Sequence, residues 1–208
     1  MYRHVIWDFD GTLFDTYPSM TQAMTSALKI RGITEPADEI YSLLKITTGH
    51  AKKHYKEKHS LGDDFDEDFA RIRSEIEVDV SFPYPGIIEL LTDIVAAGGY
   101  NYICTHRGLS TWKMIDHYNM RHLFRDCVTA DDKFAAKPAP DSVNHILNKY
   151  GIDKAEAIMV GDRELDVKAG QNAGICGCAY SDGTGTPIPC ADVTATDIAE
   201  LRRILLGL

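Results

Sequence analysis

The sequence lacks a long hydrophobic run: no stretch reaches the roughly 18 consecutive apolar residues that a membrane-spanning helix needs. Residues 1–7 lead directly to Asp8, without the apolar segment and small-residue cleavage site of a secretory signal. These absences predict a cytoplasmic protein with no membrane partner.

Positive charge is in the minority. The 208 residues include 22 Lys and Arg against 31 Asp and Glu, a formal net charge of −9. Because such a surface repels phosphate backbones unless basic residues cluster strongly, no nucleic-acid partner is expected. A small phosphorylated substrate would meet the same repulsion, so its site would need its own cation.

Cysteine is scarce and odd in number. The five cysteines lie mostly in apolar runs, which favours small buried thiols. Cys176 and Cys178 could form half of a metal clip, but a second pair at zinc-ligand spacing is missing.

Short apolar runs alternate with amphipathic stretches over most of the chain. The strand-like runs are 5–7, 100–104, 127–128, 157–160 and 175–179. Strands alternating with helices of this length imply right-handed crossovers and a parallel sheet covered on both faces, a doubly wound α/β fold.

Residues 17–82 differ from the rest, with long amphipathic stretches and many charges. Their apolar residues recur at helical spacing, as in Met20, Met24, Ala27 and Leu28 or in Phe65, Phe69, Ile72 and Ile76. A breaker cluster at 83–86 ends this segment. We therefore predict an α/β core domain of residues 1–16 and 83–208 with an all-helical domain, 17–82, inserted.

Polar residues follow several of the apolar runs. In a parallel α/β sheet, ligands bind outside the carboxyl ends of the strands, which makes these residues candidates for a site. They are Asp8 to Thr12, Thr105, Lys137 before Pro138, and Gly161 and Asp162 with Asp166.

Asp8 and Asp10 are two residues apart at a strand end, so an extended backbone directs both carboxylates to one side. Two like charges this close are unfavourable unless a cation binds or one is protonated. Mg²⁺, a hard cation suited to oxygen ligands, is therefore expected. The alternative, a turn in which Asp10 and Gly11 satisfy backbone groups, leaves Asp8 unexplained.

Asp162 and Asp166 lie one helical turn apart and share a face. Alone, they fit a helix with Asp162 as its N-cap. Together with Asp8 and Asp10 they make a carboxylate cluster that is difficult to explain without a metal.

Lys137 and Thr105 have two interpretations each. Lys137 is either a solvated loop lysine or the counter-charge for the acidic cluster and an anionic substrate. Thr105 is either a plain strand end or a donor of its hydroxyl and N–H to a phosphate oxygen.

In order and over nearly the whole chain, these residues resemble the motifs of the haloacid dehalogenase superfamily, in the phosphoglycolate phosphatase and β-phosphoglucomutase-like branch. Residues 8–13 match the first motif, Thr105 the second, Lys137 the third, and Asp162 with Asp166 the fourth. The resemblance implies a Rossmann-like doubly wound sheet with a helical cap domain.

The resemblance also implies roles for the residues. Asp8 would be the nucleophile that accepts the phosphoryl group, and Asp10 the general acid and then base. Lys137 and Thr105 would bind the transferring phosphoryl oxygens. Mg²⁺ would be held by Asp8, the Asp10 backbone carbonyl, Asp162, and Asp166 directly or indirectly.

Substrate-choosing residues are less determined. His106 and Arg107, which follow the threonine where many relatives carry Asn, are candidate substrate contacts or merely pack near the site. The basic segment 50–59 is a solvated helix face, a metal pair of His50 and His54, or a patch that steers anions.

The sequence thus predicts a Mg²⁺-dependent phosphatase of a small phosphorylated metabolite, of phosphoglycolate or sugar-phosphate type. A sugar-phosphate mutase and a catalytically idle binding protein are the alternatives. Mutases of this branch carry a histidine in the first cap helix, whereas this chain has Met20 there. A thioether offers no proton, so hydrolysis is favoured. The oligomeric state is not determined.

Overall fold

A computed structural model of the chain describes residues 1–108, 110–181 and 187–208. The strands are β1 (His4–Trp7), β2 (Phe14–Asp15), β3 (Phe82–Pro83), β4 (Tyr100–Cys104), β5 (Phe124–Val128), β6 (Ala157–Gly161), β7 (Cys176–Tyr180) and β8 (Val193–Ala195). The helices are α1 (Tyr17–Lys29), α2 (Ala37–Ile46), α3 (Thr48–His59), α4 (Asp64–Val80), α5 (Ile87–Ala96), α6 (Ser110–His117), α7 (Asp141–Tyr150), α8 (Glu164–Ala173) and α9 (Ile198–Leu206).

The described chain forms two compact units. The sheet unit comprises Met1–Phe14 and Pro83–Leu208, and the helical unit comprises Asp15–Phe82. The short strands β2 and β3 lie where the chain passes from one unit to the other.

The sheet unit contains six parallel strands in the order β5-β4-β1-β6-β7-β8. From β1 the chain builds outward through β4 and β5, then returns to the other side of β1 for β6, β7 and β8. The direction of winding therefore reverses between β1 and β6, and in such sheets this switch point forms the ligand crevice. The predicted doubly wound fold with a helical insertion is confirmed.

The strands are continuous apolar runs because helices cover both faces. On one face, Ile6, Tyr102 and Met159 share a core cluster with residues of α7 and α8. Because strand side chains alternate between faces, the neighbouring positions point the other way. Asn101 there donates to the Leu91 carbonyl oxygen of α5 at 3.1 Å.

The helical unit has its own core, formed where α1, α2, α3 and α4 pack together. The two apolar stripes predicted for this segment supply much of that core, with Met20, Met24, Phe65 and Phe69 all buried. No helix among the described residues combines the length and apolar character needed to cross a membrane.

Candidate active site

Asp8 follows β1 at the switch point. Its backbone N–H donates to the Val160 carbonyl oxygen at 2.9 Å, which continues the β1–β6 pairing one residue further. Its side chain is 1% exposed, and Oδ1 accepts a hydrogen bond from Lys137 Nζ at 2.6 Å. Burial and then the Asp166 carboxylate raise the pKa of Asp8, against the opposing charges of Lys137 and Arg163. Lys137 and Arg163 are therefore the neighbours that favour the charged form of Asp8, against burial and the Asp166 carboxylate.

Lys137 is a buried counter-ion. Its side chain is 1% exposed, Nζ lies 2.5 Å from Asp166 Oδ1, and Nζ donates to the Cys104 carbonyl oxygen at 3.0 Å. Burial disfavours the ammonium, but the carboxylates of Asp166 and Asp8 outweigh it and raise the pKa of Lys137. The two carboxylates therefore favour the charged ammonium, and the solvated-loop interpretation does not describe this buried side chain.

Asp162 and Asp166 flank the start of α8. Asp166 Oδ2 accepts the backbone N–H of Arg163 at 3.2 Å, and Arg163 is the residue that precedes the first turn. The interpretation of Asp162 as the helix cap is therefore wrong. Asp162 Oδ1 instead accepts the hydroxyl of Thr12 at 3.5 Å.

The approach of Asp166 to β6 depends on a glycine. A Cβ atom added to Gly161 would lie 2.2 Å from Asp166 Cβ and 2.6 Å from its Cγ. No side chain can occupy position 161 unless the start of α8 moves away.

Three carboxylates, those of Asp8, Asp162 and Asp166, form a group among the described residues that could hold a metal ion. One oxygen of each lies within 4.8 Å of the others. Two cations face them: Lys137, and Arg163, whose NH2 lies 3.3 Å from Asp8 Oδ2. Arg163 Nε is also 3.7 Å from Asp162 and 3.6 Å from Asp166. Three negative charges against two positive ones leave a net negative cluster.

The carboxylate of Asp10 has a different partner. Arg107 NH1 donates to Asp10 Oδ1 at 2.8 Å, and the Arg107 side chain is 2% exposed. Asp10 is thus close in sequence to Asp8, but its side chain belongs to a separate ion pair.

Thr105 and His106 support the loops around the lysine. Thr105 donates its N–H to the Val128 carbonyl oxygen at 3.0 Å, and its hydroxyl oxygen accepts the Arg107 N–H at 3.1 Å. The backbone N–H of Lys137 donates to His106 Nε2 at 2.9 Å, so that nitrogen is unprotonated. Partial desolvation of the ring, in a residue that stays exposed overall, and then the charge of Lys137 lower the pKa of His106 to about 4.

The basic segment of the helical unit is largely ion-paired within that unit. Lys56 lies 2.7 Å from Asp63, and Lys58 lies 2.9 Å from Glu35. His59 Nε2 is 2.6 Å from the other oxygen of Glu35. These acids offset the positive charge of residues 50–59, which favours the solvated-face interpretation over anion steering.

Sequence reasoning missed Arg163 as a member of the site. A basic residue between Asp162 and Glu164 is typical of an exposed surface segment. Its position in the site depends on the direction of its side chain, which the sequence does not determine. The available signal was that this cation directly follows a strand-end aspartate.

Comparison with known proteins agrees with this geometry. A doubly wound parallel sheet with an acidic cluster at its switch point places the chain among the α/β proteins that bind ligands in this crevice. The family model described as haloacid dehalogenase-like hydrolase matches residues 5–179, so the chain belongs to that family.

Three similar proteins illustrate the match. A phosphoglycolate phosphatase of Caulobacter vibrioides is 29% identical, over 86% of this chain and 79% of its own length. An uncharacterized hydrolase of Saccharomyces cerevisiae is 30% identical, over 83% of this chain and 74% of its own length. The crystal structure of a hydrolase from Streptococcus pneumoniae TIGR4 is 28% identical with a TM-score of 0.66, over 100% and 99% of the two chains. The chain is a phosphatase of this family, in the class of phosphoric monoester hydrolases.

Proposed function

We propose that the protein is a Mg²⁺-dependent phosphatase that hydrolyses a small phosphorylated metabolite through an aspartyl-phosphate intermediate. The observation that carries this proposal is Asp8, buried at the switch point with Lys137 Nζ 2.6 Å from its carboxylate. The phosphoglycolate phosphatases among its relatives support a substrate of phosphoglycolate or sugar-phosphate type.

In this mechanism Asp8 attacks the phosphorus atom and displaces the leaving oxygen. Asp10 gives that oxygen a proton, and later takes a proton from the water that hydrolyses the aspartyl phosphate. Lys137 and the hydroxyl of Thr105 bind the phosphoryl oxygens, since the Thr105 N–H already donates to the Val128 carbonyl oxygen. These roles fit a reaction that depends mainly on positioning and on neutralising charge.

The donor set suits a hard cation. Mg²⁺ prefers carboxylate, carbonyl and water oxygens, and the chain offers the carboxylates of Asp8, Asp162 and Asp166. By the family resemblance, the backbone carbonyl of Asp10 would be a further ligand. When bound, the ion would neutralise charge on the phosphoryl group. Charge balance supports this assignment, because the three carboxylates outnumber Lys137 and Arg163 and would otherwise repel an anionic phosphate.

The mutase alternative is not favoured. The relative described above that has a named activity, that of Caulobacter vibrioides, is a phosphatase and not a mutase. Met20, which stands where a mutase would carry histidine, is 2% exposed and packs in the core of the helical unit. Its sulfur accepts weakly from the Thr48 hydroxyl at 3.8 Å and has no proton to give.

The test combines phosphate release with trapping of the intermediate. Purified protein is assayed on phosphate monoesters, including 2-phosphoglycolate, with Mg²⁺ and with EDTA, and the quenched enzyme is treated with borohydride before peptide mass spectrometry. We expect Mg²⁺-dependent phosphate release and a reduced residue at position 8. Asp8→Asn should abolish both, because an amide of the same shape is not a nucleophile, whereas the exposed Asp116→Asn should change neither. Full activity in EDTA, or turnover by folded Asp8→Asn, would contradict the proposal.

A further inference from the structure

We propose that Arg107 is a positioning residue, whose guanidinium holds the Asp10 carboxylate in the orientation needed for proton transfer. This inference rests on the proposed function, since it assigns Asp10 the proton-transfer role. It differs from the role in substrate binding that the sequence suggested for Arg107.

The guanidinium is fixed by several contacts at once. NH1 donates to Asp10 Oδ1 at 2.8 Å, and NH2 donates to the Ser110 hydroxyl at 3.2 Å. NH2 also lies 3.4 Å from the sulfur of Met114. A planar guanidinium with donors bound in different directions has little freedom to rotate, so the carboxylate that it holds is oriented as well.

Arg107 also packs on the segment that carries both aspartates. Its Cζ lies 5.0 Å from the centroid of the Phe9 ring, within the range of a cation–π contact. Phe9 is fully buried and stacks on Phe14 with ring centroids 4.6 Å apart. Arg107 thus packs against the residue between Asp8 and Asp10, and that residue is itself held in a stacked aromatic pair.

The backbone of Arg107 is anchored to the neighbouring strand ends. Its N–H donates to the Thr105 hydroxyl oxygen at 3.1 Å, and its carbonyl oxygen accepts the Ala130 N–H at 2.8 Å. Through these bonds the position of Asp10 depends on the loop after β4 and the segment after β5. A side chain that is 2% exposed and whose donors are already directed at Asp10, Ser110 and Met114 is built to orient a neighbour.

The consequence for catalysis is specific. A misplaced proton donor slows departure of a basic leaving group but has little effect on one that leaves without a proton. Phenyl phosphate and p-nitrophenyl phosphate have nearly the same shape, but the phenolate that leaves from phenyl phosphate is much more basic and needs a proton. A series of substituted phenyl phosphates therefore measures how well the acid is placed, whatever the physiological substrate.

The kinetic experiment compares kcat/KM across that series for the wild type, Arg107→Met, Arg107→Lys and Asp10→Asn. We expect Arg107→Met to lose about 10²-fold with phenyl phosphate and no more than a few-fold with p-nitrophenyl phosphate. The dependence on leaving-group basicity should steepen as it does in Asp10→Asn. Arg107→Lys should stay impaired, since an ammonium cannot reproduce the planar fork.

Arg121→Met is the matched control. Arg121 also pairs with an aspartate, Asp116 at 2.6 Å, and lies 4.1 Å from the centroid of an aromatic ring, Trp112, but its side chain is 55% exposed. We expect kcat/KM for every ester to remain within twofold of wild type.

A second measurement detects the contact without using activity. Thermal unfolding of Asp10→Asn, Arg107→Met and the double variant forms a cycle, which should show coupling between the two substitutions. In the kinetics, the double variant should lose no more than Asp10→Asn alone.

Three outcomes would overturn the inference. An equal loss for all esters would make Arg107 a merely structural residue, and additive kinetic losses in the double variant would make it a substrate contact. Absence of coupling in the unfolding cycle would show that Asp10 and Arg107 do not form an energetically significant ion pair. Failure of the proposed function has a different signature, namely a wild type that hydrolyses none of the esters or an Asp8→Asn variant that hydrolyses them all.

Discussion

At the scale of single residues, Lys137 is the fully buried cation of the site. Its ammonium lies within 2.6 Å of oxygens of both Asp8 and Asp166, and both carboxylates are almost fully buried. Removing one partner of a buried ion pair leaves an uncompensated charge, which costs far more than removing an exposed partner.

We therefore predict that Lys137→Met lowers the free energy of unfolding by about 3 kcal/mol or more, and turnover by at least about tenfold. Urea denaturation and phosphate release measure the two effects. Lys149→Met is the control, because Lys149 pairs with Asp126 at 2.8 Å while 48% exposed, and a loss below about 1 kcal/mol is expected there. Similar losses in both variants would show that Lys137 carries no special charge role.

A second prediction at this scale concerns pH. Burial and Lys137 lower the pKa of His106 from 6.5 to about 4, so the folded protein keeps the ring neutral while the unfolded chain protonates it below about 6.5. The contribution of His106 to stability is thus fully present above pH 6.5 and is lost as the pH falls toward 4.

NMR titration of the imidazole resonances should give a midpoint near 4 for the signal that disappears in His106→Gln. Between pH 7 and 5, unfolding free energy should fall more steeply in the wild type than in His106→Gln. A midpoint near 6.5 would contradict the partly desolvated environment of the ring beside Lys137.

The sequence could indicate which residues deserve attention but not their pairings. Asp8 and Asp162 can be identified from their position after a strand. The carboxyl ends of parallel strands lie at the same edge of the sheet, whichever directions the side chains take. The partners of Asp10 and the place of Arg163 depend on side-chain direction and on loops of different lengths. Spacing along the chain carries no information on either.

At the scale of elements, five of the six sheet strands follow from apolar runs. The sixth, β8, escapes sequence analysis because it has three residues, lies at the sheet edge and exposes Thr194. An edge strand needs little apolar character, since only one neighbour pairs with it. The sequence did not predict the strand order either, because the order depends on which strand each crossover connection places beside the next.

Asn101 shows how a polar residue can join elements of the core. It is fully buried on β4, accepts the Trp7 indole N–H of β1 at 3.0 Å, and donates to the carbonyl oxygens of Leu91 and Leu123 at 3.1 Å. One side chain thereby makes hydrogen bonds to polar groups of β1, of α5 and of the turn before β5.

We predict that Asn101→Ala lowers the free energy of unfolding by about 2–4 kcal/mol, because it leaves buried polar groups without partners and opens a cavity. Asn172→Ala is the matched control, since its exposed amide makes a single bond to the Pro138 carbonyl oxygen and should cost below about 1 kcal/mol. Urea denaturation followed by tryptophan fluorescence measures both. Equal effects would mean that water replaces the Asn101 contacts.

At the scale of the whole molecule, charge links stability to the site. The chain carries a net charge of −9, and the acidic cluster concentrates three carboxylates beside two cations. Repulsion inside such a group opposes folding, and a divalent cation that binds the folded group but not the unfolded chain relieves it.

Mg²⁺ should therefore raise the Tm of the protein, and EDTA should reverse the rise. A ligand at one hundred times its Kd adds about 2.7 kcal/mol, which for a chain of this size corresponds to about 5–10 °C. NaCl at matched ionic strength separates binding from general screening, which acts weakly on buried charges. Asp162→Asn and Asp166→Asn should each reduce the response, whereas Asp116→Asn, at an exposed aspartate in the same unit, should retain it. If NaCl reproduced the whole effect, or if Asp162→Asn responded like the wild type, the three carboxylates would not form a cation site.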